Sequence, residues 1–519
     1  MLRALRTILR LFAIARTLHR HGALAPIRSL IEEMGIAPGL VLVLKPFSRE
    51  DVPGRPGERL ARAFVALGPS FIKLGQMLST RADLVGEAIA ADLSELQDRL
   101  PPFPTEDSRR IIAEELGQPV EALFSRFEDT PVSAASIAQV HFAETPDGRE
   151  VAVKVLRPGI EAAFARDLDL MFWVAGIVER REPRLKRLKP LAVVRTFEET
   201  VRLEMDLRLE AAAAAELAQN FAGDETYRVP AVDWARTQRR VLTVERIAGI
   251  RMDDRAALLA DGHDIGAVLA RAAAIFFNQV FRDGYFHGDQ HPGNMAVAAD
   301  GAIVAVDFGI MGRLDRATRF TLADMLLAFL DRDYRRLAEV HFEAGYVPPT
   351  QSVDRFAQAC RSIGEPIFGR ALTEISFARL LGQLFALGQT FEMEVQPQLL
   401  LLQKNMLMAE GVSRALDPNL NIWTLAQPLI EEWMRENRGP EARLRDAIED
   451  AAFVVRRLPR LVAEAERALV RLAEGGVKLH AETLLALERR DRRNRHRWIG
   501  WIVALGLGAL ALAWTWSET

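Results

Sequence analysis

One polar stretch in the middle of the chain constrains the fold more than any other feature: residues 284–312 read GYFHGDQHPGNMAVAADGAIVAVDFGIMG. Asp289 and Asn294 come first, and after a turn the apolar run 302–306, with Val304 and Val306 on one face, leads directly to Asp307. Alternation with a period of two is typical of a β-strand. The stretch therefore predicts a polar loop, a turn and a strand that ends in a carboxylate.

Two histidines in this stretch raise the question of a zinc site. His287 and His291 have the i, i+4 spacing of the HExxH zinc helix. That motif needs a helix, but Gly288 lies between the histidines and Pro292-Gly293 follows directly. The general-base glutamate of the motif is also missing. We therefore set the zinc site aside and predict a loop here.

The order of the polar residues instead matches the protein-kinase pattern H-R-D-x-x-x-x-N, a strand, and D-F-G. Asp289 stands five residues before Asn294, which is the required spacing, and Asp307-Phe308-Gly309 closes the pattern. We predict that Asn294 and Asp307 hold Mg²⁺, because carboxylate and amide oxygens suit this hard cation and phosphoryl transfer needs it. Asp289 is the predicted catalytic residue, which orients the attacking oxygen or takes its proton.

A kinase-type site also needs a strand lysine that reaches the ATP phosphates and a helix glutamate that pairs with it. Lys154 in VAVKVLRP closely matches V-A-I-K; the structural alternative is an exposed strand lysine. EETVRLEMDLRLEAAAAAEL offers Glu204, Asp206 and Glu210, which could also form only a solvated helix face. Glu210 is the predicted partner of Lys154. A second strand-like run, RRVLTVERIAG, adds Glu245 to the ATP-binding candidates.

Several other kinase elements are missing. The glycine-rich loop is replaced by PVSAASIAQVHFA, in which Ala134, Ala135 and Ser136 are small enough for a close turn and are the predicted ATP-loop residues. Alanine lacks the freedom of glycine at positive φ, so this loop is not expected to cradle phosphates in the usual backbone shape. Gly288 replaces the HRD arginine, and no A-P-E follows DFG. We therefore expect no long segment for docking a peptide substrate.

Composition and the N-terminus limit the remaining choices. Lysine plus arginine total 67 and aspartate plus glutamate 70, and the net charge of −3 gives no reason to expect a nucleic-acid partner. A single cysteine, Cys360, excludes an internal disulfide framework and a Cys-based zinc site. The arginine-interrupted N-terminus lacks a signal-peptide core. Leu5, Ile8 and Phe12 share one helical face, which fits an interfacial membrane helix or a helix packed on its own domain.

The C-terminal end predicts a membrane anchor. Residues 498–516 carry no charge, and nineteen helical residues at ~1.5 Å each span about 28 Å, enough for one bilayer core. Tryptophans stand at both ends, and six arginines between Arg489 and Arg497 precede the run. The positive-inside rule then places residues 1–497 in the cytoplasm, and we predict a single-pass protein of the inner (cytoplasmic) membrane. The alternative is a buried core helix.

Taken together, the motifs resemble the UbiB/ADCK family of atypical kinase-like proteins over about residues 60–345. GPSFIKLGQMLSTRADL is similar to the K-x-G-Q signature of that family, which gives Lys73 and Gln76. EMD matches its E-x-D motif at Glu204 and Asp206. SAASIAQVH resembles the alanine-rich loop of the family, and FHGDQHPGN with DFG completes the set.

The resemblance implies a fold and a role for these motifs. We expect an α+β, protein-kinase-like bilobal fold with an N-terminal helical extension, a helical C-terminal region and one C-terminal transmembrane helix. The K-x-G-Q segment would lie across the active site as a regulatory element, with its lysine near the two acidic residues of E-x-D. Ser133 and Gln290 depart from the family pattern, which usually has alanine and proline there; Gln290 is expected to alter the rigidity of its loop.

The predicted domains follow from these assignments. In order they are a basic amphipathic helical region (1–50), a helical extension with K-x-G-Q (51–105), a kinase-like N-lobe (106–250), a kinase-like C-lobe (251–440), a basic helical stalk (441–497) and a transmembrane helix (498–516).

The resemblance also implies a function, because the family is associated with ubiquinone biosynthesis, membrane attachment and ATP use. The leading hypothesis is a membrane-anchored ATPase or small-molecule (lipid) kinase with ATP and Mg²⁺ as cofactors. Its expected partners are a membrane lipid or prenyl-quinone precursor, together with quinone-biosynthesis enzymes. Two alternatives stay open: a protein kinase that phosphorylates a biosynthetic enzyme, and a nucleotide-binding scaffold of the quinone-synthesis complex.

Overall fold

The structure is a computed structural model that describes residues 2–25, 51–79, 85–94, 96, 100–181, 190–368, 387–388, 390–393, 397–418 and 422–438. The chain divides into two compact units, Met1–Trp433 and Met434–Thr519, and nearly all described residues belong to the first. The predicted stalk at 441–497 and the predicted membrane helix at 498–516 lie outside the described residues.

Helices and strands alternate in the middle of the described chain, and helices alone make up both of its ends. The helices are α1 (Leu2–Arg20), α2 (Pro56–Leu67), α3 (Pro69–Ser79), α4 (Glu87–Ser94), α5 (Thr105–Leu116), α6 (Val120–Leu123), α7 (Ile160–Arg181), α8 (Pro190–Glu204), α9 (Leu207–Asn220), α10 (Arg255–Ala260), α11 (Ile265–Phe277), α12 (Arg316–Leu330), α13 (Tyr334–Glu343), α14 (Val353–Phe368), α15 (Pro397–Leu416) and α16 (Ile422–Arg438). The strands are β1 (Arg126–Phe127), β2 (Ser133–Ala134), β3 (Ala138–Glu144), β4 (Glu150–Leu156), β5 (Tyr227–Arg228), β6 (Val241–Glu245), β7 (Ile250–Arg251), β8 (Tyr285–His287), β9 (Met295–Val297), β10 (Ile303–Ala305) and β11 (Met311–Arg313).

The N-terminal lobe is built on a five-stranded sheet of order β1-β3-β4-β6, to which β2 adds by pairing with β3. All of these pairs are antiparallel. The alternation predicted around Lys154 is confirmed, because Val151, Val153 and Val155 are at most 2% exposed and pack with α5. Since successive side chains of a strand point to opposite faces, Lys154 lies on the other face of the sheet.

Helix α9 places an acidic side chain on that other face. Its composition, LRLEAAAAAELAQN, is rich in strong helix formers. The carboxylate of Asp206 caps the first turn by accepting a hydrogen bond from the N–H of Arg208. Leu207 and Ala211 are fully buried and pack with α7 and α8 around Phe164. This packing fixes the rotation of the helix and therefore the direction of its other buried residues.

The C-terminal lobe contains two small sheets, one of order β5-β10-β9-β7 and one of β11 with β8. β10 confirms the strand predicted before Asp307, although it is shorter than the predicted run 302–306. Helix α11 continues into a π-helical turn at Asn278–Asp283. Within the described residues, one helical stretch, Ile265–Asp283, is long and apolar enough to cross a membrane. It also supplies buried residues such as Val268 to the core of this lobe, as the core helix of a soluble protein would.

Helices α2, α3 and α4 form an N-terminal extension with its own core, which contains Phe64. Helix α1 is joined to α7 because Arg10 donates to both carboxylate oxygens of Asp167 at 2.8 and 2.9 Å. Phe12 is 69% exposed, and the side chains of residues 2–9 lie outside the described part. The described contacts fit a helix that packs on its own domain, with Phe12 left on the surface.

The predicted α+β organisation with an N-terminal helical extension is confirmed in the described residues. Helices α12 to α16 also confirm that the chain is helical in the described segments between residues 316 and 438. Cys360 is a buried free thiol among the apolar residues of α13 and α14. The two lobes meet where β4, α9 and the stretch 284–312 approach one another.

Candidate active site

Lys154 on β4 meets two acidic residues from other elements. Its Nζ donates to both carboxylate oxygens of Glu210 on α9, at 2.7 and 2.9 Å. It also donates to Oδ1 of Asp307 at 3.3 Å. The side chains of Lys154 and Glu210 are 16% and 9% exposed, whereas that of Asp307 is 49% exposed. The structure thus brings together three residues that were predicted from separate parts of the sequence.

Burial and mutual attraction set the charges of this triad. Burial disfavours the charge on Lys154, but Asp307 and then Glu210 outweigh it and raise the pKa of the ammonium group. Burial raises the pKa of Glu210 against the attraction of Lys154. Desolvation also acts on Asp307, but the charges of Lys154 and then Lys73 outweigh it and hold the pKa of Asp307 below its usual range. Asp307 is therefore the ionised carboxylate of the triad, and its side chain is the one most exposed to solvent.

The backbone of Asp307 is held in an unusual conformation. Its φ is +63°, in the left-handed region that non-glycine residues rarely adopt and that is often found at functional sites. The carbonyl oxygen of Asp307 accepts a hydrogen bond from Nε2 of His287 at 2.7 Å. Nδ1 of His287 accepts from the N–H of Asp289 at 3.0 Å, so the ring hydrogen is on Nε2. Burial lowers the pKa of His287, which keeps the ring neutral in this role.

The loop that carries Asp289 is folded on itself. Nδ2 of Asn294 donates to the carbonyl oxygen of Asp289 at 3.1 Å. Nδ1 of His291 accepts from the N–H of Gly293 at 2.9 Å and so caps a 3₁₀ turn at Pro292–Asn294. The two histidines of the stretch therefore have separate hydrogen-bonding roles, and the helix that a zinc motif would need is not formed.

Gly288 stands where the kinase pattern has arginine, and packing explains the glycine. Its N–H donates to the carbonyl oxygen of Ile310 at 2.8 Å. A Cβ at position 288 would lie 2.8 Å from Cγ2 of Ile310 and 3.1 Å from its carbonyl oxygen. The chain after DFG thus approaches the catalytic loop too closely for a side chain.

Asn294 and Asp307 offer the oxygen donors that Mg²⁺ requires. The N–H of Val306, directly before Asp307, donates to the carbonyl oxygen of Asn294 at 2.9 Å, which ties the two residues together. Because Nδ2 of Asn294 is used on the loop backbone, its Oδ1 is left for a ligand. Mg²⁺ is usually held by one or two protein oxygens together with phosphates and water, so the pair fits this cation. In the described residues, no group of three or more His, Cys, Asp or Glu side chains could hold a metal ion.

A short hairpin takes the place of the glycine-rich loop. Ala134 ends β2, and the N–H of Ala135 donates to the carbonyl oxygen of Ala138 at 2.8 Å across the turn that contains the buried Ser136. No residue of this described turn has a positive φ, so alanine and serine form it without strain. Nε of Arg157 donates to the carbonyl oxygen of Ala135 at 2.9 Å, which ties the turn to the end of β4.

Helix α3 carries the K-x-G-Q motif to this site. Nζ of Lys73 lies 2.8 Å from Oε2 of Glu204, and both side chains are largely buried. Its charge also acts on Asp307, as described above, so the lysine is close to the predicted metal ligand. The carboxylate of Asp206 binds the side chain of Arg208 at 2.9 and 2.7 Å besides capping α9. The K-x-G-Q lysine is thus joined to the first acidic residue of E-x-D.

The rest of the K-x-G-Q motif contributes to packing. A Cβ at Gly75 would lie 2.7 Å from the ring of Phe64 and 2.8 Å from Leu96, so this position of α3 requires close contact. Gln76 follows it and is partly buried. The regulatory roles predicted for these residues stay predictions.

Two neighbouring residues that the sequence analysis did not select contact the catalytic loop from α15. Nζ of Lys404 lies 2.8 Å from Oδ1 of Asp289. Asn405 is 1% exposed; its Nδ2 donates to the carbonyl oxygen of His287 at 2.5 Å, and its Oδ1 accepts from the N–H of Gln290 at 3.2 Å. The composition contains one signal that could have drawn attention to Lys404: lysine is rare in this chain, with seven of the 67 basic residues.

These contacts give Gln290 a role. Its Nε2 donates to Oε1 of Gln279 at 3.1 Å, and the same oxygen accepts from the N–H of His287 at 3.0 Å. A proline at position 290 would lack both the backbone donor to Asn405 and the side-chain donor to Gln279. The departure from the family pattern therefore ties the catalytic loop to the π-helical turn and to α15.

Glu245 lies apart from these residues. Its Oε2 accepts a hydrogen bond from the N–H of Ala231 at 3.2 Å. With residues 246–248, the end of α9 and β5, it lines a cavity of about 450 Å³. None of the residues around Lys154 and Asp289 described above lines this cavity. The structure does not bring the carboxylate of Glu245 to the triad, and its ATP-binding role stays a prediction.

Comparisons with known proteins match this chain to two family models and to several named relatives. A family model described as the ABC1 atypical kinase-like domain matches residues 95–341, and one described as the UbiB helical domain matches residues 360–421. A Marinobacter nauticus protein named "Probable protein kinase UbiB" is 43% identical over 462 residues, 88% of this chain and 84% of the relative. A protein of the same name from Aeromonas salmonicida is 46% identical over 410 residues, 78% of this chain and 75% of the relative. The solved complex of Rv3197 with erythromycin from Mycobacterium tuberculosis is 28% identical, covers 69% of this chain and 91% of that one, and has a TM-score of 0.49.

Proposed function

Since the chain belongs to the UbiB family of atypical kinase-like proteins, we propose that it is a membrane-anchored, ATP-using enzyme that supports ubiquinone biosynthesis. The proposed chemistry is hydrolysis of ATP or phosphorylation of a small, lipid-like molecule. In both cases an oxygen nucleophile attacks the terminal phosphorus of ATP, and the chain must hold the phosphates and orient that nucleophile.

The cluster of Lys154, Glu210 and Asp307 is the observation that carries the proposal. Glu210 holds the protonated Lys154 at 2.7 Å, and Lys154 also reaches Asp307 at 3.3 Å. Burying a carboxylate costs free energy, so an ion pair that served only the protein surface would not have its glutamate buried. An arrangement of this kind is what phosphate binding requires: a positive charge fixed beside the carboxylate that holds Mg²⁺.

Each residue of the site has a proposed task. Lys154 binds phosphate oxygens, and Asp307 with Asn294 holds Mg²⁺, which neutralises phosphate charge when it is bound. Asp289 accepts a hydrogen bond from the attacking hydroxyl or water and takes its proton. The neutral His287 keeps the backbone of Asp307 in place through the hydrogen bond at 2.7 Å.

The short chain after DFG supports a small acceptor or water. Only residues 310–315 separate Gly309 from α12, and they contain β11, which pairs with β8. A protein kinase uses a long segment at this place to receive a peptide. Lys73 on α3 also lies near Asp307. The resemblance implies that the helical extension covers the place where a protein kinase would bind its peptide.

The predicted anchor at 498–516 supports a membrane substrate. It would hold the site near a bilayer, where prenylated quinone precursors are dissolved. The anchor would thereby keep the chain on the membrane that contains a nucleophile carried by such a lipid.

Turnover of ATP by the full chain tests the proposal. Purified protein in lipid nanodiscs is assayed with Mg²⁺ and ATP, with and without a soluble quinone-precursor analogue. We expect turnover that the analogue stimulates and that Asp307→Asn lowers by about a hundredfold or more, as for loss of a main charge-stabilising group. Asp300→Asn is the matched control, because Asp300 lies in the same stretch, is exposed and contacts Arg228 on the surface. Equal turnover by both variants would contradict the proposal.

A protein kinase is the second candidate, and the name of the relatives, "Probable protein kinase UbiB", is the observation that favours it. Transfer of labelled phosphate from ATP to a co-purified biosynthetic enzyme, lost in Asp289→Asn, would support this function over the first. Turnover that depends on the quinone-precursor analogue and labels no protein would exclude it.

A further inference from the structure

Helix α15 brings a cation to the predicted catalytic residue from a distant part of the sequence. Lys404 and Asp289 are 115 positions apart, and their side-chain atoms lie 2.8 Å from each other. The side chains are 26% and 24% exposed, so the ion pair opens to the cleft. Asn405 fixes the register of this contact through its two hydrogen bonds to the loop backbone. The hydrogen bonds of Asn405 therefore help to hold Lys404 beside Asp289, and the ion pair is part of the packing between α15 and the loop.

The use of lysine in this chain points to the site. The chain has seven lysines among its 67 basic residues, and three of the seven lie in the described part. All three are at this site: Lys73 pairs with Glu204, Lys154 with Glu210 and Lys404 with Asp289. Most exposed ion pairs in the described residues use arginine, as in Arg109 with Asp129 and Arg335 with Asp354. Lysine is a compact point charge and arginine a planar fork, so the two are not interchangeable where one phosphate oxygen must be reached.

The catalytic loop itself supplies no cation. Residues 288–294 read GDQHPGN, and His291, two positions after Asp289, is used to cap the 3₁₀ turn. The negative charge that spreads over the terminal phosphate during transfer must nevertheless be stabilised by fixed positive groups. In the described part of the chain, Lys404 is the lysine whose side chain contacts Asp289, the residue that is proposed to take the proton of the nucleophile.

We propose that Lys404 is a phosphate-binding catalytic residue, supplied to the kinase-like site by the C-terminal helical region. This inference rests on the proposed function. An ammonium group has three N–H donors, and one of them binds Asp289. The others bind an oxygen of the terminal phosphoryl group. During transfer, the nucleophile gives its proton to Asp289 and forms the new P–O bond, the bond to the bridging oxygen breaks, and ADP leaves. Lys404 keeps its charge throughout and only exchanges hydrogen-bond partners.

Binding of two nucleotide states by the full chain in nanodiscs tests this role. Mg²⁺–ADP and Mg²⁺–ADP with beryllium fluoride, a mimic of the terminal phosphoryl group, are titrated into wild type, Lys404→Met and Lys404→Arg. We expect Lys404→Met to weaken the beryllium fluoride complex by about tenfold or more, as for one charge-assisted contact, with ADP affinity within about twofold. Turnover of ATP should fall by about a hundredfold, and Lys404→Arg should restore part of both losses.

Arg414→Met is the matched control, since Arg414 lies on the same helix and pairs with Glu410 of that helix. It should leave both affinities unchanged. If Lys404→Met weakens ADP and the beryllium fluoride complex equally, or weakens neither, Lys404 does not bind the terminal phosphate and the inference fails while the proposed function stands. If wild type binds neither ligand, the proposed function and the inference both fail. Retained ADP binding shows that a variant is folded.

Discussion

Replacing Glu210 with glutamine tests whether Lys154 is held by a buried partner. Hydrogen bonds to charged groups contribute about 1.5–3 kcal/mol, and breaking a buried ion pair costs about 3–5 kcal/mol. Glutamine keeps one acceptor for Lys154, Asp307 remains 3.3 Å away, and the burial cost of the carboxylate disappears. We therefore expect Glu210→Gln to lower the free energy of local opening of α9 by about 2 kcal/mol.

Hydrogen exchange measured by mass spectrometry reads this loss directly, because it reports opening element by element. A loss of about 2 kcal/mol lowers the protection of amides in residues 207–220 by about 30-fold. Glu216→Gln is the matched control, since Glu216 lies on the same helix but makes an exposed ion pair with Arg313. Its change in protection should stay within about fivefold, because an exposed ion pair contributes at most about 1 kcal/mol. Equal changes for the two variants would refute the buried-pair argument.

Two further perturbations test the catalytic loop. Burial lowers the pKa of His287, so its contribution to stability is present above the unfolded pKa of about 6.5 and is lost as pH falls below it. Thermal unfolding between pH 7 and 5 should therefore show that the free energy of unfolding falls more steeply for wild type than for His287→Gln. The difference in slope should be at most ~1.4 kcal/mol per pH unit, and parallel curves would contradict this expectation. Gly288→Ala should destabilise the protein by about 1–3 kcal/mol because its Cβ would overlap Ile310. Gly176→Ala on α7 is the control, because a Cβ there meets nothing closer than 3.5 Å, and it should stabilise the protein by about 0.5–1 kcal/mol. If both substitutions change the free energy of unfolding in the same direction, the packing explanation for Gly288 is refuted.

The parts of the site that lie close in sequence could be predicted because their chemistry is local. Spacing alone places Asp289, Asn294 and Asp307 on a loop and a strand, and the structure forms that loop and strand. The pairing of Lys154 with Glu210 could also be predicted, since a strand lysine of a kinase-type site requires a helix glutamate. Three acidic residues competed for that role, and only packing of α9 decides that Glu210 faces the lysine.

Contacts between distant segments could not be predicted in the same way. Nothing in the local pattern of LLLLQKNMLMAEGV shows that this helix crosses the loop at Asp289, because that depends on the packing of the whole lobe. The same holds for Gln290, which reads as an unexplained departure until Gln279 and Asn405 appear beside it. The role of Asp206 as a helix cap bound to Arg208 is a further case, because it depends on where α9 begins.

Binding of Mg²⁺–ATP by the full chain tests the central claim most directly. Isothermal titration of the protein in nanodiscs, with Mg²⁺ and then with excess EDTA, compares wild type with Asp307→Asn. We expect wild type to bind with a Kd of about 1 mM or tighter, within the usual range for enzyme substrates. Asp307→Asn should bind at least tenfold more weakly in Mg²⁺, with the difference lost in EDTA, because Asp307 acts through the metal. No binding by wild type at millimolar ATP, or equal affinities of the two proteins in Mg²⁺, would contradict it.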